Sequence, residues 1–130
     1  MGSSAGMICK NCRHHFVVEE GGGFFFHLLR CDRCARTKSA GFAELGDLHL
    51  AYLKGLPGPY AMASWQHDLQ VKAEYSGPAL SEPEYHAAIE SPLKRHKCGG
   101  RFQFDASPRC PKCRSTELEP DPDGPMILYD

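Results

Sequence analysis

The chain lacks any apolar run near the ~18 residues that cross a bilayer, so a membrane span is not expected. It also lacks net charge: 15 Lys and Arg stand against 16 Asp and Glu, for a formal -1. That balance excludes a uniformly basic arm. At 130 residues and 14.4 kDa the chain is too short for an eight-fold α/β barrel, which needs about 250 residues. The segment before Cys9 has neither the charged start nor the apolar stretch of a signal peptide, so a reducing, cytoplasmic setting is expected. There is no HExxH pattern and no phosphate-binding glycine loop, since Gly21–Gly23 reads as a turn. No nucleophile–base set stands out, which leaves a catalytic role without a named residue.

What the chain does have is cysteine. Seven of 130 residues is below the ~8–10% that marks a disulfide scaffold, and the odd count would leave one thiol unpaired. In a reducing compartment clustered cysteines hold metal more often than they bridge each other. Four (Cys9, Cys12, Cys31, Cys34) lie near the start and three (Cys98, Cys110, Cys113) near the end, with 63 residues between Cys34 and Cys98.

These clusters divide the chain. Residues 1–6 are small and polar, precede a second Met, and read as an expression scar or disordered lead. Residues 7–38 read as strand (14–18), glycine turn and strand (24–29) between two Cys-x-x-Cys knuckles. Residues 39–93 read as helical. Phe42, Leu45, His49 and Leu53 fall near a 3.6 period that Gly55 ends. Ser64 is placed to cap a second helix towards Tyr75. Ser81-x-x-Glu84 is a capping box opening a third over 82–90. Residues 94–130 read as knuckle, strand (101–104), a short partner strand (115–118) and an acidic loop, with 126–129 either adding an edge strand or lying loose.

Cys9-x-x-Cys12, 18 residues, then Cys31-x-x-Cys34 is the spacing of a four-thiolate zinc site. Two cysteines three apart meet one ion if the backbone between them turns tightly, and two knuckles complete a tetrahedron. By spacing and strand pattern the chain resembles the zinc-ribbon superfamily over Cys9–Cys34 and again over 96–118. Ribbons often place Gly after the second knuckle cysteine; Arg13, Ala35 and Arg114 stand there instead. The resemblance implies two structural zinc ions per chain. In the second set Cys98, Cys110 and Cys113 need a fourth donor. His96, two residues before Cys98 with Gly99 and Gly100 behind it, is the expected one; His86, another residue or water are the alternatives. His14 and His15 could compete at the first set but read as strand residues.

The expected fold is a small metal-stabilised α+β protein, with two zinc-ribbon-like β units flanking a short helical middle. Charge is opposed in blocks: +3 over residues 1–38, -5 over 39–93, +6 over 94–114 and -5 over 115–130. Four thiolates on Zn²⁺ carry -2, and three with a neutral His carry -1. Only the second cluster therefore keeps a clear basic face. The first expectation for function is a non-catalytic adapter that engages a protein partner. The second is a nucleic-acid module using the basic C-terminal segment. The third is an iron-loaded, rubredoxin-like electron carrier. The fourth is a zinc hydrolase with water at the second ion.

Overall fold

A computed structural model describes residues 2–23 and 25–129. Phe24, expected at the start of the second strand, lies outside the described residues, as do Met1 and Asp130. Among the described residues the fold is α+β, with seven strands and four helices. No helix among them is long and apolar enough to cross a membrane.

The chain forms two compact units. Unit 1 joins residues 1–41 to 93–130, and unit 2 is the intervening stretch, 42–92. The two ends of the chain therefore share one unit, which differs from the expected separation into an N-terminal and a C-terminal ribbon. The reason lies in the strand pairing.

In unit 1, β1 (Gly2–Cys9) pairs antiparallel with β2 (His15–Glu20), and the first knuckle is the turn between them. Likewise β3 (Phe26–Cys31) pairs with β4 (Thr37–Gly41) around the second knuckle. The glycine-rich segment that reads as a hairpin turn instead links strands of two different sheets, because β2 and β3 each already pair with the strand across their own knuckle. The C-terminal strands join both. β6 (Leu118–Pro120) and β7 (Met126–Tyr129) pair with β1. β5 (Phe102–Gln103) pairs with β3 at Arg30 and Cys31. Residues 2–6, set aside on sequence, make up the first half of the central strand β1. Gly6 is needed there, since a Cβ would lie 2.9 Å from the Gly124 Cα.

Unit 1 buries little aliphatic surface. Among the described residues Ile8 and Leu29 are its buried aliphatic side chains, at 7% and 0% exposure, beside the buried Cys9, Cys31, Cys34 and Cys110. Burying each aliphatic contributes roughly 1.5–3 kcal/mol. Two such side chains are a small aliphatic core for two sheets, and the buried cysteines beside them are placed to add stability by holding metal.

Unit 2 is helical. The expected first helix is two: α1 (Phe42–Leu45) and α2 (Asp47–Gly55), broken at Gly46, whose φ of 55° is left-handed. Helix α3 spans Trp65–Glu74. The Ser64 hydroxyl does not cap it, and instead donates to the buried Asp68 carboxylate at 2.8 Å. Tyr60 N–H also donates to Asp68, at 2.8 Å. Helix α4 (Glu82–Glu90) opens with the expected box: the Ser81 hydroxyl accepts from Glu84 N–H, and the Glu84 carboxylate accepts from Ser81 N–H.

The core of unit 2 is aromatic. Tyr52 and Tyr85 stack at 4.1 Å, His49 stacks on Phe42 at 3.8 Å, and His49 Nδ1 lies 2.9 Å from the Tyr85 hydroxyl. Burial holds His49 down to about 4 from an ordinary 6.5, with Asp68 opposing and His67 reinforcing the shift. The folded state thus takes up the His49 proton later than the unfolded chain does. Its stabilising contribution is present above pH 6.5 and is lost as pH falls towards 4. The slope is about 1.4 kcal/mol per pH unit. Acid titrations of unit 2 stability, followed by the fluorescence of Trp65, should show this slope, and His49→Gln should flatten it.

Candidate metal centres

The knuckles are built by their backbones. Arg13 N–H donates to Cys9 O at 2.8 Å and Cys9 N–H to His14 O at 2.9 Å, curling the chain around Cys9 Sγ. Cys12 N–H then points at that sulfur, 3.5 Å away. The same pattern recurs at Cys110, where Arg114 N–H donates to Cys110 O at 2.8 Å and Lys112 N–H faces the sulfur at 3.4 Å. Both turns end in the left-handed region although neither ends in glycine: φ is 62° at Arg13 and 66° at Arg114. A left-handed non-glycine residue costs roughly 1–2 kcal/mol, and glycine's extra chain entropy returns about half of that. Arg114→Gly should therefore stabilise the knuckle by about 0.5–1 kcal/mol, while the β-branched Arg114→Val should weaken it. Chemical denaturation of the zinc-loaded protein checks both.

The four cysteines that sequence spacing assigns to one ion do not meet. Cys9, Cys12, Cys110 and Cys113 form one group, and Cys31, Cys34, His96 and Cys98 the other, with all donor atoms of a group within 4.8 Å of one another. The expected set Cys9–Cys12–Cys31–Cys34 is corrected accordingly, as is the set His96–Cys98–Cys110–Cys113. The cause is the strand pairing. Lys10 N–H donates to Glu117 O at 2.8 Å and β1 pairs with β6, which sets the Cys110 knuckle against the first one. Asp32 N–H donates to Arg101 O at 3.0 Å, and Asp32 Oδ1 accepts from Arg101 N–H at 2.9 Å, which sets His96–Gly100 against the second. His86 lies in unit 2 and joins neither group. His15 is drawn instead to Asp121, with Nδ1 and Oδ2 3.0 Å apart. That contact is the main cause holding the Asp121 carboxyl below its ordinary value.

The donor spacing fits an ion. Sulfurs face each other at 3.4 Å (Cys9–Cys113), 3.6 Å (Cys12–Cys110) and 3.4 Å (Cys31–Cys98). His96 Nδ1 lies 3.4 Å from Cys34 Sγ and 3.2 Å from Cys98 Sγ. A zinc–sulfur tetrahedron with bonds of ≈ 2.3 Å has edges of about 3.8 Å, whereas a disulfide bond is about 2.05 Å. The His96 ring is braced edge-on against Phe102 at 5.1 Å.

The thiols are electrostatically unequal. Backbone N–H groups at Gly100 and Ser115 hold Cys98 and Cys113 down to about 6, helped by His96 and by the Asn11 amide, which lies 3.6 Å from Cys113 Sγ. At Cys12 the His14 backbone favours the thiolate, but burial and the neighbouring thiols outweigh it and raise the group to about 12. Burial also raises Cys34. A divalent cation removes this competition by taking all the thiolates at once. The Asn11 amide facing Cys113 escapes sequence reasoning, because it belongs to no ligand pattern.

Each group offers four protein donors, which fits a closed structural zinc site rather than one with an open position for water. The two groups fit zinc-ribbon-like sites. No curated protein and no solved structure matches the chain. A family model does, over residues 5–119, a stretch that holds all eight donors. The chain belongs to that family, described as a domain of unknown function, DUF8255.

Proposed function

We propose that this protein is a non-catalytic adapter whose unit 1 is held together by two structural zinc ions and presents its surface to a protein partner. The observation that carries the reading is the completeness of both donor sets: four thiolates in one, three thiolates and an imidazole in the other. A tetrahedral ion so held has no position left for a substrate or an activated water. The same closure argues against hydrolysis at the second group. Four thiolates also suit iron, and iron would give a coloured, redox-active protein.

Elemental analysis of the purified chain tests the metal reading. Two zinc and no iron per chain agree with it; iron would replace it with electron transfer. Affinity capture with the zinc-loaded chain, and with the same chain after zinc removal, tests the adapter role. A protein partner retained only by the loaded form supports the role, and equal recovery by both forms argues against it.

A further inference from the structure

Unit 1 carries a cleft of about 590 Å³ lined by Cys34, His96 and Cys98 of one donor group and by Pro111 from the knuckle of the other. Arg36, Lys97 and Arg114 also line it. Among the described residues these three side chains have no hydrogen-bond or ion-pair partner. A second cleft, of about 210 Å³, shares Ala35 and Pro111 with the first and adds Phe16, Arg30 and Arg109. Arg109 Nη1 donates to the Arg114 carbonyl at 3.0 Å, which holds the guanidinium at the cleft wall, and its buried Nε has no hydrogen-bond partner among the described residues.

We propose that the two linked clefts form a binding track for single-stranded nucleic acid, with Arg36, Lys97 and Arg114 gripping phosphates in the larger one. Arg109 and the face of Phe16 would take the next nucleotide in the smaller. The charge arithmetic allows it. Five cations line the track against the carboxylate of Glu19; with zinc bound, the adjoining three-thiolate group would carry -1 and the four-thiolate group, whose knuckle supplies Pro111, would carry -2, which leaves the track a net charge of about +1. Guanidinium groups suit phosphate because their planar forks match its oxygens. Two clefts in series suit a polymer of regularly spaced phosphates better than one small anion. Phe16, already stacked with His14 at 5.9 Å, adds a ring against which a base can lie. An acidic peptide would use the cations but not the ring. The proposal goes beyond the adapter reading and needs only that unit 1 be folded around its metal.

The test is fluorescence anisotropy of the zinc-loaded chain with a labelled oligothymidylate about 12 nucleotides long, at rising salt. Binding is expected at low salt, with a slope of log affinity against log salt near -2, the value for about three neutralised phosphates. The triple variant R36E/K97E/R114E should weaken binding more than about tenfold, and Phe16→Ala about fivefold or more. Lys38→Glu, an exposed charge outside the clefts, should change it less than about twofold. Should the charge-reversed protein fail to hold its zinc, the neutral R36Q/K97Q/R114Q variant is read instead. No binding at low salt overturns the proposal, as does undiminished binding by a triple variant that keeps its metal. Competition by oligoglutamate as strong as by unlabelled oligothymidylate would reassign the track to acidic peptides and also overturns it.

Discussion

Gly100→Ala should empty the second donor group while leaving the first intact. A Cβ at position 100 would lie 2.5 Å from Cys31 Sγ and 2.8 Å from Asp32 Oδ1. Neither neighbour can yield cheaply. Cys31 is fully buried and faces Cys98 at 3.4 Å, and Asp32 Oδ1 holds the Arg101 N–H that aligns the two segments. The backbone is fixed as well, since Gly100 O accepts from His96 N–H at 2.8 Å. Changes around a metal site commonly cost about 10–100-fold in affinity, and a clash with the donor sulfur itself belongs at the upper end. Against a competing chelator the variant should retain one zinc. Gly99→Ala is the control. Its φ of 87° makes alanine strained, but the nearest atom is the mobile Arg33 guanidinium at 3.3 Å. A cost of about 1–2 kcal/mol without loss of metal is expected there.

Stripping both ions should unfold unit 1. Its buried aliphatics, Ile8 and Leu29, supply roughly 3–6 kcal/mol together. Structural zinc in small modules contributes on the order of 10 kcal/mol. Ions held by the two donor groups would also cross-link distant parts of the chain. Cys12 and Cys110 are 98 positions apart, and Cys34 and His96 are 62 apart. Without metal those long loops must be closed by strand pairs alone. Hydrogen exchange should show protection of the β1 and β3 amides lost on chelation and restored by zinc. Acid should act like a chelator, because the thiolates bind protons as they release metal. Persistent protection in metal-free protein would mean that the sheets stand without the ions.

Much of the architecture is legible in the sequence, and the exceptions share a cause. Ser81 and Glu84 announce α4 because a capping box is local. Cys-x-x-Cys is also local: it marks two cysteines that can face one ion. It does not state which other knuckle completes the set. That choice is made by β1 against β6 and by β3 against β5, pairings between residues some 70 to 110 positions apart. The linker after β2 misleads for the same reason. Its glycines permit a hairpin, but β2 is already paired with β1 across the knuckle. Residues 2–6 have too few apolar side chains to announce a central strand, and their role depends on Gly6 accepting the close approach of Gly124. The helix break at Gly46 is likewise a backbone property, a positive φ that periodicity does not register.

The central claim is that each metal group draws one knuckle from each end of the chain. The most direct measurement is zinc stoichiometry, against a competing chelator, of two paired variants. C9A/C110A removes two donors from one group and none from the other, so it should keep one zinc. C9A/C31A removes one donor from each, so it should keep none. The reverse pattern, with one zinc held by C9A/C31A and none by C9A/C110A, would show that the ions join neighbouring knuckles in sequence and would contradict the account.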